Sequence, residues 1–165
     1  MDAPQTRLAL KSTAFEHGQM MPSECTCDGD NVSPDLSWEG APEEANTFVI
    51  IAEDRDIPMQ ALHLLAWVHW VVYDIPPDVT SLPGGLPSNE VLDNGARQGM
   101  TSFKRVGYSG PCPPFGTHRY YFRLYAVDSP IGIEPRHATR KRVLRALQGH
   151  VVGYGELMGR YRRAR

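Results

Sequence analysis

The sequence predicts one domain, residues 1–165, built mostly from β-strands. Its 14 prolines and 15 glycines are too many for a helix bundle and indicate short segments joined by frequent turns. The hydrophobic content of 41% is typical of a globular protein, and the length suffices for a core that needs no metal or disulfide. Runs of β-branched and aromatic residues are the third observation, because such runs favour strands.

Five segments match the strand pattern. Residues 8–11 and 36–38 predict two short strands near the N-terminus. Residues 47–52 (TFVIIA) and 68–73 (VHWVVY) predict buried strands, and residues 120–127 (YYFRLYAV) predict the longest strand. The connections between them are long and irregular, so we expect functional residues there.

One helix is predicted, over residues 139–148. Its apolar residues share one face, and Gly149 follows at the position of a C-terminal cap. These residues are Val143, Leu144 and Leu147. The apolar residues beyond Gly149 predict a last short strand, and the arginine-rich residues 160–165 predict a solvated tail.

Charge and hydropathy argue against several classes of protein. The net charge of −2 gives no basic face of the kind that displaces counterions from nucleic acid. The most apolar stretch, residues 61–73, is too short to span a membrane and contains His63 and His69. Residues 1–11 lack a charged start followed by an apolar core, so we expect a cytoplasmic protein.

The three cysteines, Cys25, Cys27 and Cys112, are predicted to be free thiols, because their number is odd and no leader is visible. Cys25 and Cys27 on an extended segment would point to one side, as a metal-binding pair does, but their spacing is not that of a zinc site. We therefore predict neither a metal ion nor a cofactor.

Three polar clusters lie at the ends or edges of the strong strands. Asp54 and Asp56 follow the first buried strand, His69 lies within the second, and residues 110–120 lead into the longest. The last cluster has two glycines and three prolines, so it is stiff and able to turn backbone N–H groups towards an anion. Histidines and a tyrosine hydroxyl add donors, and a carboxylate orients a histidine. The clusters indicate one site for a small anion, although each also fits an ordinary turn or a core histidine.

Several segments carry motifs in a fixed order. These segments are residues 25–38 (CTCDGDNVSPDLSW), 54–58 (DRDIP), 69–76 (HWVVYDIP), 110–120 (GPCPPFGTHRY), 149–150 (GH) and 156–161 (ELMGRY). They resemble the TCDG…SPxLxW, DPDAP, HWVxxxIP, GPxPPxGxHRY, GH and ELxGxY motifs of the phosphatidylethanolamine-binding protein family. This family includes the Raf kinase inhibitor proteins and their bacterial and archaeal relatives, and the resemblance spans residues 15–163.

The resemblance implies an antiparallel Greek-key β-sandwich with a large central sheet, a smaller sheet and a C-terminal helix. It also implies a small surface cavity that accepts phosphate, a carboxylate such as acetate, or a phospholipid head group. Carried over by position, the residues lining this cavity are Asp54, His69, Gly110, Pro111, His118 and Tyr120. Asp56 and Pro58 would shape one loop, and Pro113 and Pro114 the other. Cis peptide bonds are expected at Pro58 and at a proline of residues 111–114.

Two departures from the family pattern concern the rim of the cavity. Arg55 replaces the first proline of the DPDAP motif and adds a cation near the mouth. Residues 101–104 (TSFK) replace a run of the NxFG type. We therefore expect ligand size and selectivity to differ from those of relatives.

Two other classes of function stay open. Asp54, His69 and His118 fit general acid–base catalysis, as in isomerisation, cyclisation or hydrolysis. A hydrolase also needs a nucleophile, and neither Ser109, which lacks a GxSxG elbow, nor Cys112, which lies between prolines, fits that role well. The family contains kinase and protease inhibitors, so a protein partner is the third interpretation, and dimers among its bacterial members allow a homodimer.

Overall fold

The computed structural model describes residues 6–57 and 66–163, and its strands form two sheets. The strands in these residues are β1 (Thr6–Arg7), β2 (Ala9–Lys11), β3 (Leu36–Glu39), β4 (Thr47–Asp54), β5 (Trp67–Ile75), β6 (Ser81–Leu82), β7 (Arg97–Gln98), β8 (His118–Val127) and β9 (Val151–Tyr161). An α-helix, α1 (Arg140–Leu147), precedes β9, and short 3₁₀ helices occur at Ser23–Cys25 and Pro135–His137. The predicted mostly β architecture with one helix is confirmed.

The larger sheet has six strands in the order β1-β9-β8-β4-β5-β7, and the smaller sheet has three in the order β2-β3-β6. Neighbouring strands are antiparallel except at one edge, where β1 runs parallel to β9. The prediction of a wholly antiparallel architecture is therefore wrong at that edge, because the N-terminal residues lie alongside β9 in the same direction. The Greek-key arrangement stays a prediction.

Strand β4 is buried along its whole length, which explains its unbroken apolar run. On one face Phe48 packs against Trp38 of the smaller sheet, with ring centroids 5.5 Å apart. On the other face Ile51 belongs to a buried cluster with Val143 and Leu147 of α1. The central strands are thus held between the smaller sheet and the helix, and only their ends are free to form a site.

Helix α1 has a well-defined start and stop. The Thr139 side chain accepts a hydrogen bond from the Arg142 N–H, and Gly149 follows the helix with a φ of 81°. These features confirm the predicted helix to within one residue at each end. None of the helices in residues 6–57 and 66–163 is long and apolar enough to cross a membrane.

Strand β9 has 11 residues and is the longest strand of the described chain, although the sequence predicted only a short last strand. The glycines of β9 weaken the strand pattern in the sequence, because glycine has low strand propensity. A Cβ at Gly155 would lie 2.7 Å from the Leu8 carbonyl oxygen, and one at Gly159 would lie 2.5 Å from Cγ of Met21. The glycines therefore let the N-terminal segment lie directly on β9. Arg160, predicted to be in a solvated tail, lies in this strand.

Candidate functional site

Three central strands of the large sheet bring the predicted site residues together at one end. Asp54 is the last residue of β4, and it pairs with Tyr120 of β8 and with Trp67 of β5. His118 precedes Tyr120 by two residues on β8, so both side chains leave the strand on the same side. The sheet register thus places a carboxylate, an imidazole and a phenol side by side.

His69 reaches the same place through a β-bulge. Ala52 of β4 pairs with Trp70 and Glu53 pairs with Val68, which leaves His69 as an extra residue of β5 without a β4 partner. Bulges redirect side chains and are frequent beside binding sites. The bulge is therefore the local feature that turns the His69 ring towards the end of the sheet.

A cavity of about 180 Å³ lies between these side chains. Its polar lining consists of Asp54, His69, His118 and Tyr120. Ile57, Trp67 and Phe103 form an apolar wall, and Cys112, Pro113 and Pro114 complete the lining. The four polar residues are all buried. None of the described lining residues is lysine or arginine, so positive charge in this lining has to come from a histidine.

Asp54 and His118 form a close pair. Nδ1 of His118 lies 2.6 Å from Oδ2 of Asp54, and Oδ1 of Asp54 accepts a hydrogen bond of 2.8 Å from the Asp56 N–H. Because Nδ1 donates to the carboxylate, the Nε2 atom of His118 is left for the cavity. The carboxylate therefore fixes the orientation of the ring and keeps a hydrogen on its Nδ1.

His69 is held by a carbonyl group instead of a carboxylate. Its Nδ1 lies 2.6 Å from the Ser109 carbonyl oxygen, and its own carbonyl accepts a hydrogen bond of 3.0 Å from the Ser109 N–H. Burial lowers the pKa of His69, and the Ser109 carbonyl and the Asp54 carboxylate offset this only in part. His69 is therefore neutral at pH 7, with its proton on Nδ1.

The Tyr120 ring contacts both imidazoles. Its centroid lies 5.3 Å from that of His69, edge to face, and 6.4 Å from that of His118 in a stacked arrangement. Burial and the neighbouring Asp54 carboxylate raise the pKa of the Tyr120 hydroxyl well above its ordinary value. The hydroxyl therefore stays protonated and remains a hydrogen-bond donor.

Gly110 and Pro111, which the resemblance placed in the cavity, are not among its lining residues. The Gly110 N–H donates to Oδ1 of Asn31 at 2.7 Å, and a Cβ at this position would lie 2.0 Å from the Cys25 carbonyl oxygen. The Pro111 carbonyl accepts a hydrogen bond from the Cys27 N–H at 3.1 Å. The start of this loop therefore packs against residues 25–31, and its Gly110 amide is not available to an anion.

Asp56 shapes its loop by holding Arg119. Its Oδ2 accepts hydrogen bonds from the backbone N–H and from Nε of Arg119, and its Oδ1 accepts one from Nη2 at 2.7 Å. These bonds lower the pKa of Asp56. Pro58 lies outside the described residues. No cis peptide bond occurs in the described chain, so the cis bond expected within residues 111–114 is absent and that prediction is wrong.

Cys27 and Cys112 form a disulfide with a Cα–Cα distance of 5.4 Å, so the prediction of three free thiols is wrong. The bond ties the cavity wall at Cys112 to the segment after the first 3₁₀ helix. Cys25 is the free cysteine, and burial raises the pKa of its thiol to about 11. The odd number of cysteines was misleading, because it combines one disulfide-bonded pair with one buried, unreactive thiol. No group of three or more potential metal ligands occurs in the described residues.

The aromatic wall of the cavity carries little signal in the sequence. Phe103 packs edge to face against Trp67 and His69, with centroid distances of 5.7 and 5.3 Å. It is 37% exposed, so it lies at the mouth rather than in the core. Its only sequence signal was its place in residues 101–104, the run that departs from the family pattern.

Comparisons with known sequences agree with this arrangement. The family model described as "Phosphatidylethanolamine-binding protein" matches residues 11–162. A UPF0098 protein of Methanothermobacter thermautotrophicus is 46% identical over 154 residues, which cover 93% of this chain and 98% of the relative. A UPF0098 protein of Chlamydia trachomatis is 38% identical with the same coverage of both chains.

Two solved structures are also similar. The crystal structure of a putative phosphatidylethanolamine-binding protein homolog, CT736 of Chlamydia trachomatis, has a TM-score of 0.85 and 36% identity, covering 98% of this chain and all of that one. E. coli YbcL, described as a new member of the mammalian PEBP family, has a TM-score of 0.86 and 28% identity over 95% of this chain and 99% of its own. This chain belongs to the phosphatidylethanolamine-binding protein family.

Proposed function

We propose that the cavity binds a small oxyanion: phosphate, a carboxylate or the phosphate of a phospholipid head group. The Asp54–His118 pair carries the proposal, because the carboxylate orients a ring whose Nε2 is left for the cavity and, in the protonated ring, donates to an anion. The Tyr120 hydroxyl supplies a second donor. The volume of about 180 Å³ is below the roughly 300–1,000 Å³ of pockets for drug-sized ligands, which favours a ligand the size of a head group.

Binding is expected to take up a proton. His69 is neutral, so the charge that meets the anion resides on His118. A protonated imidazole is a better partner for an anion than a neutral one. The affinity for phosphate should therefore fall as pH rises from about 5.5 to about 8.

Titration calorimetry with phosphate at these two pH values tests the proposal. His118→Gln should weaken binding about tenfold or more at the lower pH and reduce the pH dependence to that caused by the titration of phosphate itself, because it removes a charge-assisted hydrogen bond. His150→Gln is the matched control, since Nδ1 of His150 lies 2.8 Å from Oδ1 of Asp128 in a pair that is largely exposed. His150→Gln should change neither the affinity for phosphate nor its pH dependence. The absence of phosphate binding by the unmodified protein, or binding that His118→Gln leaves unchanged, would contradict the proposal.

Acid–base catalysis on a small substrate is the second candidate. It is favoured by the convergence of a neutral imidazole, an imidazole paired with a carboxylate and a phenol in one apolar cavity. Nucleophilic hydrolysis is disfavoured, because the Cys112 sulfur is bonded to Cys27 and the buried Ser109 hydroxyl accepts a hydrogen bond from Nε of Arg105. Turnover that both His69→Gln and His118→Gln abolish would support the enzyme; binding without turnover supports the proposed binding protein.

Inhibition of a kinase or protease, a homodimer and a cytoplasmic location stay predictions. Inhibition that persists in His118→Gln would place a partner surface outside the cavity. The Cys27–Cys112 disulfide weighs against a reducing compartment, because such bonds persist mainly in oxidising ones. Trapping of free thiols in intact cells, followed by mass measurement, distinguishes one free cysteine from three.

A further inference from the structure

The two imidazoles offer different hydrogen-bonding groups to the cavity. Each ring uses Nδ1 for its bond within the protein, to Asp54 in the case of His118 and to the Ser109 carbonyl in the case of His69. Each therefore directs Nε2 elsewhere, and both residues line the cavity. The Ser109 carbonyl can only accept a hydrogen bond, so the hydrogen of His69 is on Nδ1 and its Nε2 carries a lone pair.

The surroundings keep His69 in this form. Its ring is buried and packs against Phe103 and Tyr120, which disfavours a charge on it. Asp54 and His118 are the charged groups that act on it, and the Tyr120 ring contacts it. A proton on His118 opposes a second proton on His69. An anion in the cavity therefore meets one donor imidazole and one acceptor imidazole.

We propose that the cavity selects oxyanions that retain an acidic hydroxyl, namely phosphomonoesters in their singly charged form, over phosphodiesters. This inference rests on the proposed function and names the ligand class. A phosphomonoester monoanion accepts a hydrogen bond from Nε2 of His118 through one oxygen and donates its P–O–H group to Nε2 of His69. A phosphodiester has no hydroxyl, so its oxygen would face the lone pair of His69 and leave this buried acceptor unpaired.

His69 is then the residue that determines specificity, and His118 provides charge for both kinds of ligand. The ester substituent is expected to contact the apolar wall of Trp67 and Phe103. The phosphate of an intact glycerophospholipid head group is a diester, so the inference favours a small soluble phosphomonoester over such a lipid.

Calorimetric titrations with methyl phosphate and dimethyl phosphate at pH 6 test this, because the two ligands are nearly equal in size. When the affinities are calculated for the singly charged form of each ligand, methyl phosphate should bind about tenfold or more tightly than dimethyl phosphate. This is the effect expected for one unpaired buried acceptor. His69→Gln should largely remove the difference, because its amide offers both a donor and an acceptor. His150→Gln should preserve the difference.

The outcomes separate the inference from the function on which it rests. Equal affinities for the two ligands would overturn the inference and leave the oxyanion site intact. Failure of both ligands to bind would overturn the proposed function, and the inference with it. A preference that persists in His69→Gln would show that another residue sets the specificity.

Nitrogen NMR of the histidine rings provides a test that needs no variant. In the unmodified protein saturated with methyl phosphate, we expect His69 to show the neutral pattern with its proton on Nδ1, and His118 to show the doubly protonated pattern. A doubly protonated His69 in this complex would overturn the inference, because the ring would then donate to either ligand.

Discussion

Two neighbouring carboxylates at the end of β4 face opposite sides of the large sheet, and their partners differ in kind. Glu53 lies 2.8 Å from Nε of Arg123 through Oε1 and 2.8 Å from Nε of Arg140 through Oε2. Asp54, the next residue, pairs with His118 beside the cavity. Both side chains are buried, at 1% and 4% exposed.

The difference shows what separates a structural carboxylate from a functional one. Both oxygens of Glu53 face guanidinium groups, which keep their charge at every physiological pH. The partner of Asp54 is an imidazole, which has a second nitrogen free for a ligand. Both residues are buried and both form an ion pair, so these two properties do not identify the site. What identifies it is a titratable partner that lies next to a cavity.

The side of the sheet with the cavity is also anchored covalently, which gives the largest expected effect on stability. Replacing both Cys27 and Cys112 by serine should lower the free energy of unfolding by about 4 kcal/mol, because the crosslink closes a long loop. The two residues are separated by 85 positions in the sequence. Urea unfolding of the oxidised protein and of the variant measures this difference. Reductant should destabilise the unmodified protein and leave the double variant unchanged; equal stability of the two proteins would contradict the expectation.

The opposite side should depend on Glu53. Glu53→Gln should lower the free energy of unfolding by about 3 kcal/mol, because the partly buried Arg140 loses its counter-charge and Arg123 is left with Glu156. Phosphate affinity should stay unchanged in the folded variant. Glu156→Gln is the matched control, since Glu156 also binds Arg123, at 2.7 Å, but is more exposed. A smaller loss is expected there, and equal losses would show that burial of Glu53 adds nothing.

The sequence predicted the central strands and the polar side chains of the site for physical reasons. The apolar runs of β4 and β5 are long because these strands are buried on both faces, and β8 alternates between buried and more exposed residues, so all three patterns are strong. Asp54, His69, His118 and Tyr120 lie at or near strand ends, where the motifs placed them. These features are local, and a local pattern is what a sequence displays directly.

The features that escaped prediction depend on contacts between distant segments. The bulge at His69 exists only relative to β4, and the disulfide joins two loops whose proximity depends on the whole fold. The glycines of β9 weaken its strand pattern in the sequence. They are needed because Leu8 packs directly against them, which is a contact between distant segments. Of the backbone N–H groups of residues 110–120 that were expected to face an anion, that of Gly110 instead donates to Asn31, which is distant in the sequence.

A second pair of carboxylates, Asp54 and Asp56, allows a closer comparison, because they are two residues apart in the sequence and only Asp54 lines the cavity. Asp54→Asn should weaken phosphate binding about tenfold at pH 5.5, because an amide no longer holds the His118 ring through a hydrogen bond to a carboxylate. Asp56→Asn should leave affinity unchanged, since its carboxylate holds Arg119, whose side chain is 53% exposed, and such exposed pairs contribute little. The same calorimetric titrations measure both. If Asp56→Asn weakened binding as much as Asp54→Asn, the two carboxylates would act as a unit, and contact with a titratable ring would no longer distinguish the functional residue.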